Sequence, residues 1–488
     1  MFIIFSAPCS FKRSHMDKLT ELKGLFNPKR KYSDDNGTVI EVDGVFVRVD
    51  EDLEKQRGLE QYSISAEDFL QDPPVIRSAR VSTGRDSKEV DEKAKGMIGA
   101  LYGGRHETPF EGGVVFRLRV ETPICFAQPF FQLPYSHNEF SGRYSIIDGD
   151  FYTPKNIPSF ALSMYHANEE RCQRDYKELL DMGVAREQAR FALPFRFFTK
   201  FYWTVSLRHL LEILSLEPNN LTVPDFWSIR DNILKRIIKD WTPWAYEKTE
   251  ETKRCVRTKW ADDDKARELI GLIKGRSLKR FENEIGSIHL VNVSGDDDLL
   301  RLGIKTQPNP RRGFGHASMT FLMEVPIFVH RQWVRHRYGS WSELPVNFQE
   351  IANTRNFYIP NRFRKQVGKA MSYVYEDMND EENNTVRTKL HYLIEDSCYR
   401  FYTVCGCGIE SLRAAQTLVY TFRIPVMWTV NVESLMNFFS LRCDTHAQWE
   451  IRQFANVIYG WFKEYFPCAD KIFLDHLNYG KSPVFGNS

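Results

Sequence analysis

The chain has almost no surplus of charge of either sign. Its 488 residues carry 66 Lys and Arg against 64 Asp and Glu, a formal net charge of +2. General nucleic-acid and membrane-surface binders draw their affinity from excess positive charge, so this balance argues against both. Basic clusters are therefore read as sites for particular anions or as solvated faces. Long apolar runs are missing too: no stretch approaches the roughly 18 apolar residues of a membrane span. The opening MFIIFSAPCS is apolar for only a few residues and has no basic leader, so no signal peptide is expected, and Met16 offers a second start. The nine cysteines, an odd number in a long chain, do not make a disulfide framework. Cys405 and Cys407 form a C-x-C, but no second pair stands at zinc-ligand spacing, so no metal site is expected. Reduced thiols and a cytoplasmic location are the simplest expectation. With 42% hydrophobic and 14% aromatic residues, the composition is that of a globular protein, and the length suffices for two or more domains.

The chain repeats itself. FYWTVSLRHLLEILSLE aligns with PVMWTVNVESLMNFFSLR, pairing Trp203 with Trp428 at an offset of 428 − 203 = 225. DFYTP answers NFYIP at 357 − 151 = 206, and Ser136 pairs with Ser340 at 204. Several matches in the same order mark an internal duplication. The growth of the offset from 206 to 225 predicts an insertion of about 20 residues in the second copy, assigned to FRKQVGKAMSYVYEDMNDEENN. We divide the chain into a polar N-terminal extension (1–58), a first copy (59–250), a charged helical connector (251–284), a second copy (285–478) and a tail (479–488). Alternation in GGVVFRLRVET and ASMTFLMEVPIFV predicts strands half buried on one face. LRHLLEIL, SLMNFFSL and QWEIRQFANVIYGWFKEYF carry apolar residues at helical spacing. Strands and helices segregate, which predicts an α+β fold with a mixed sheet in each copy.

Two passages carry the chemistry. In copy two, Arg335-His336-Arg337 groups two guanidiniums and an imidazole, a set suited to gripping a polyanion; an extended backbone would point 335 and 337 one way and 336 the other. In copy one, SHNEFSGRYS offers Glu139, Ser141 and Arg143 at alternating positions, and an extended segment would present all three to one side. A plain polar turn around Gly142 is the structural alternative. HETPFEG reads as a helix start, with Thr108 and Glu111 placed for a capping box.

Together these residues resemble the flavin-dependent thymidylate synthases, whose signature runs R-H-R, two residues, S, one residue, N-E, one residue, S, one residue, R. Copy two has Arg335, His336, Arg337 and Ser340, keeps Glu343, and then has Ser342, Pro345 and Asn347 where Asn, Ser and Arg belong. Copy one has Phe131, Gln132 and Leu133 for R-H-R, followed by Ser136, Asn138, Glu139, Ser141 and Arg143 without error. Neither copy passes the signature, and the pair does. The family segment A-R-x-x-L-P survives in copy one as Ala189 to Pro194 but is Ala414-Ala415 in copy two. Ser206, Glu212 and Glu217 stand in copy one where copy two keeps Asn431, Asn437 and Arg442. Arg208 fits in copy one, whereas copy two has Glu433. Complementary loss suggests that the surviving halves meet in shared sites.

The resemblance implies a methyltransferase that converts dUMP to dTMP, with methylenetetrahydrofolate as carbon donor, FAD as flavin and NADPH as reductant. It implies nucleotide contacts by Glu139, Ser141, Arg143, Arg190, Gln332, Arg335 and Arg442. It implies flavin contacts by Ser82, Thr108, Glu111, Arg208, His336, Arg337, Asn431 and Asn437. His106 and Arg335 are placed near the carbon transfer. The family homotetramer would be mimicked by a homodimer of this fused chain, with small-molecule partners and no nucleic acid or membrane. Two alternatives stay open: a dUMP hydroxymethylase on the same fold, and a non-catalytic nucleotide or flavin binder or structural relative.

Overall fold

The computed structural model describes residues 39–42, 45–49, 72–81, 92–131, 136–143, 145–147, 151–216, 224–252, 263–336, 338–368 and 374–479. Among them the strands are β1 (Val39–Val42), β2 (Val45–Val49), β3 (Val115–Pro123), β4 (Ser136–Glu139), β5 (Phe198–Ser206), β6 (Lys279–Glu282), β7 (Ser287–Ser294), β8 (Ser318–Pro326), β9 (Gly339–Glu343), β10 (Arg364–Val367), β11 (Val374–Asp377) and β12 (Arg423–Asn431). Helices flank these strands, and the fold is α+β, as the alternation and helical spacing predict. No described helix is long and apolar enough to cross a membrane. The chain divides into two compact units: Met1–Thr122, Lys200–Leu216 and Ser228–Cys255 form one, and Pro123–Thr199, Glu217–Trp227 and Val256–Ser488 the other.

In the first unit β3 alternates along its length, with Phe116, Leu118 and Val120 fully buried. β1 and β2 lie in the stretch read as a polar extension, yet they form an antiparallel hairpin, and β2 pairs with β3. Both carboxylate oxygens of buried Asp72 accept from the backbone N–H groups of Trp244 and Ala245 at 2.8 Å, satisfying the open start of helix Pro243–Thr252.

The second unit contains the sheet β6-β7-β8-β12-β9. Its order β6-β7-β8-β12 repeats the β1-β2-β3-β5 order of copy one, strand for strand. β6 falls within the stretch read as the connector, whose exposed helix runs Asp263–Gly275. Five helices of this unit are used below: α1 (Ser159–Asp181), α2 (Ile327–Trp333), α3 (Asp380–Gly406), α4 (Val432–Arg442) and α5 (Trp449–Tyr465). The residues Ile327 to Val329, expected to prolong β8, instead open α2. Pro326, at φ −57°, has no N–H for the ladder and is already near helical φ. Behind α2, Trp333 stacks on Phe438, and Trp428 lies between Trp333 and Trp341. This aromatic block fixes the helix that carries the site.

The unit holds residues of both copies in one core, from Tyr165 and Phe191 to Phe328 and Trp428. Phe195 donates its backbone N–H to Leu418 O at 2.8 Å, and Tyr420 donates to Leu193 O at 2.9 Å. Since 418 − 193 = 225 and 420 − 195 = 225, exchanging the copies maps this pair of bonds onto itself. Such a self-complementary contact is the mark of a two-fold interface, here inside one chain. The long helices α1 and α3 are counterparts with inverted charge: Arg171 pairs with Asp175 at 2.7 Å, and at 396 and 400, each 225 further on, Asp396 pairs with Arg400 at 2.7 Å. An insertion is present, though shorter at this point than the expected 20 or so residues: α1 starts 8 positions after Phe151 (159 − 151) and α3 starts 23 after Phe357 (380 − 357), an excess of 23 − 8 = 15. β10 and β11 form an antiparallel hairpin within it.

Candidate functional site

α2 aims two guanidiniums, one turn apart, at a carboxylate from the other copy. Arg331 Nη2 donates to Glu139 Oε1 at 2.5 Å, Arg335 Nη2 donates to Glu139 Oε2, and Thr199 Oγ1 donates to Oε1 at 2.5 Å. The Glu139 side chain is 5% exposed. Burial pushes its pKa up, but Arg331 and Arg335 outweigh that and hold it at about 2, so the group is ionised at any physiological pH. Arg331 also lies 4.7 Å above the ring of Phe131, the residue that copy one carries in place of Arg335. The aromatic face thus supports the cation that holds the carboxylate. Glu343, the copy-two counterpart of Glu139, pairs with His330 of its own copy at 2.8 Å.

A second set surrounds Glu187, which is 1% exposed. Arg143 Nε donates to Glu187 Oε2 at 2.8 Å and its Nη2 to His446 O at 2.7 Å. Arg190 and Gln332, one from each copy, both donate to Gln448 Oε1 at 2.8 Å. Arg442 Nε donates to His336 Nε2 at 2.9 Å, and its Nη2 donates to Gln332 O at 3.1 Å. An imidazole accepting at Nε2 carries its proton on Nδ1. Burial, and then Arg442 and Arg335, hold His336 well below the usual histidine pKa, so it is neutral. Among the described residues Gln332 Oε1 is buried with no hydrogen-bond partner, an acceptor left for a ligand.

Seven predicted residues, Glu139, Arg143, Arg190, Gln332, Arg335, His336 and Arg442, thus lie in linked contacts within one unit. The local backbone differs from expectation. Arg335 and His336 follow the last turn of α2 and are not extended. β4 ends at Glu139, so Ser141 and Arg143 belong to a turn at Gly142, where an added Cβ would meet Ile147 Cδ1 at 2.8 Å. Ser141 Oγ accepts from Arg143 N at 3.4 Å. Asn347, matched to Arg143, caps helix Phe348–Thr354 by accepting from Glu350 N. Asn431 likewise caps α4, accepting from Ser434 N at 2.9 Å, and Asn437 is exposed on that helix.

Four further predicted residues, His106, Thr108, Glu111 and Arg208, lie in the first unit. Arg208 bridges Glu107 and Glu111, both at 2.7 Å, while His106 and Thr108 are exposed. The capping box does not form: Glu107 is the N-cap, Thr108 is already helical, and Pro109 sits in the first turn. Copy two has the inverted pair, with Arg311 on Glu433 at 3.0 Å. Ser82, Arg337 and Glu217, with Gln132 and Leu133, lie outside the described residues. Sequence reasoning missed Arg331, Thr199, Glu187 and Gln448. Arg331 had a signal, since it stands four residues before Arg335, the spacing of about one helical turn.

A family model described as Thymidylate synthase complementing protein matches the chain twice, at residues 69–244 and 292–468. The flavin-dependent thymidylate synthase of Thermosipho africanus is 35% identical over 213 residues, covering 39% of this chain and 91% of that protein. That of Thermus thermophilus is 35% identical over 234 residues, 44% of this chain and 84% of its own length. A solved UMP/dUMP methylase, PolB from Streptomyces cacaoi, is 23% identical over 38% of this chain and 93% of that one, with a TM-score of 0.33. Each relative spans less than half of this chain, as a single copy would. With two family matches, a repeated strand order and a self-complementary contact between the copies, the chain belongs to the flavin-dependent thymidylate synthase family, methyltransferases and flavoproteins, as a tandem duplication of the family domain.

Proposed function

We propose that this chain methylates dUMP to dTMP at composite sites made by both copies, with methylenetetrahydrofolate as carbon donor and NADPH as reductant. FAD, when bound, supplies the hydride. The observation that carries the reading is Glu139 of copy one held by Arg331 and Arg335 of copy two. A carboxylate with a pKa of about 2 is an acceptor and an anchor, not a proton donor. It fixes Arg335 beside the reacting groups. Arg143, Arg190 and Arg442, with the Ser141 hydroxyl, form the cationic end that suits a phosphate dianion. Gln332 Oε1, without a partner among the described residues, suits the N–H of a uracil edge.

The residues of this unit also fit a flavin by the chemistry of their donors. Neutral His336 offers Nδ1–H and Asn437 presents an exposed amide; these two, with Asn431 and Arg337, would hold the ring system. Ser82, Thr108, Glu111 and Arg208 are the remaining flavin contacts, and His106 and Arg335 are each assigned to the carbon transfer. Two chains would assemble as a homodimer that stands in for the family tetramer.

The test uses the full chain supplied with FAD, dUMP, methylenetetrahydrofolate and NADPH. The expected result is dTMP formation, abolished in Arg335→Ala. A flavin-loaded chain that forms no dTMP would overturn the reading in favour of a non-catalytic binder, and a hydroxymethylated product would assign the other chemistry.

A further inference from the structure

The β10–β11 hairpin belongs to copy two alone, yet it also contacts the helical turns of copy one, Arg186–Ala189 and Arg190–Ala192, that carry Glu187 and Arg190. Arg364 N donates to Gln188 Oε1 at 2.8 Å, and Ala185 N donates to Arg364 O at 2.7 Å. Gln366 Oε1 accepts from Arg186 N at 3.1 Å, and Lys365 bridges Val184. The Arg364 side chain, 19% exposed, crosses the ring of Tyr375 at 5.1 Å and donates from Nη2 to Glu187 Oε1 at 3.0 Å. Glu187 is thereby shared: Oε1 serves Arg364 and Oε2 serves Arg143.

Charge decides what this sharing does. Arg143 paired alone with Glu187 would make a neutral couple with little attraction for a phosphate. A second guanidinium on the same carboxylate returns the group to a net single positive charge. The other charges nearby reinforce the surplus. Arg190 and Arg452 stand close by, and Glu450 has its pKa raised by burial and then by Glu187, which favours its neutral form.

We propose that Arg364, on a hairpin that only copy two possesses, is a positioning residue for the nucleotide phosphate: by sharing Glu187 it leaves Arg143 able to bind the anion. This rests on the reading of Arg143 as a phosphate contact. It gives the inserted hairpin a role in the site, and it adds a second copy-two residue, after Arg442, to a phosphate end whose Arg143 and Arg190 come from copy one.

The test is nucleotide binding by the full chain, measured calorimetrically with dUMP and with deoxyuridine, which lacks the phosphate. Arg364→Gln keeps both backbone bonds of residue 364 and should weaken dUMP about ten-fold, the size of one charge-assisted contact. Deoxyuridine binding should not change. Adding Glu187→Gln to that variant restores the net single positive charge and should recover most of the dUMP affinity. Equal loss of both ligands, or unchanged dUMP affinity in Arg364→Gln, would overturn the proposal. If the double variant does not fold, the phosphate dependence of the single variant decides. Arg143→Ala separates the two readings. If it leaves dUMP binding intact, the phosphate assignment itself fails. If it weakens binding while Arg364→Gln does not, only the role of the hairpin fails.

Discussion

Replacing Glu139 with Gln removes the charge on which two guanidiniums from the other copy converge. Its pKa falls from 4.5 to about 2, a difference of about 2.5 units. At about 1.4 kcal/mol per unit, the ionised form is favoured by on the order of 3 kcal/mol. Burial supports little discount, because the side chain is 5% exposed and Arg331 beside it is 6% exposed. Glu139→Gln should therefore cost on the order of 3 kcal/mol, within the range for breaking a buried pair. Urea unfolding followed by tryptophan fluorescence would report it, since Trp333, Trp341 and Trp428 back the helix that carries Arg331. Glu343→Gln, at the matching position, loses one bond to His330 and should cost about 1 kcal/mol. The pH dependence has a fixed sign. A carboxylate depressed in the folded state stabilises above its unfolded pKa, so this contribution is full above about pH 4.5 and lost as the pH falls toward 2. The variant should lack that loss. Equal costs for the two substitutions, or a Glu139→Gln cost below about 1 kcal/mol, would refute the reasoning.

Arg143→Ala should weaken dUMP binding about ten- to a hundred-fold in calorimetry. Asn347→Ala, which removes a helix cap in copy two, should leave dUMP affinity unchanged while lowering stability by about 1 kcal/mol. His336 is depressed below its usual value of 6.5, so its neutral form stabilises the fold above that pH, and the contribution is lost as the pH drops below about 6.5. Scanning calorimetry should show His336→Asn flattening the decline of the melting temperature between about pH 6.5 and 5, and an unchanged slope would contradict the assignment.

The duplication and the α+β class were legible because Trp203 and Trp428, or Phe151 and Phe357, recur in sequence whatever their surroundings. The division of the motif was legible for the same reason. What the sequence hid was contact between distant residues. Arg331 is one arginine on a short helix, and nothing local ties it to a carboxylate 192 residues earlier. Glu187 and Gln448 are ordinary polar residues until the fold seats guanidiniums from both copies on them. The insertion was located, but nothing in its charged composition says that Arg364 reaches a buried carboxylate. The extended reading failed at Arg335 and His336 because Pro326 and the apolar side chains of α2 start a helix that runs to Trp333 and is capped at Val334.

The account's central claim is that the two copies have divided one set of residues, so that each chain completes a single kind of site. The exchanged arrangement would offer Asn347 for Arg143, Ala415 for Arg190, Phe131 for Arg335 and Glu217 for Arg442. It would thus remove four guanidiniums from the site and add a carboxylate where the nucleotide carries its own negative charge. Equilibrium titration of the full chain with FAD and dUMP measures this directly. The account predicts one flavin and one nucleotide per chain at saturation, and two of either per chain would contradict it.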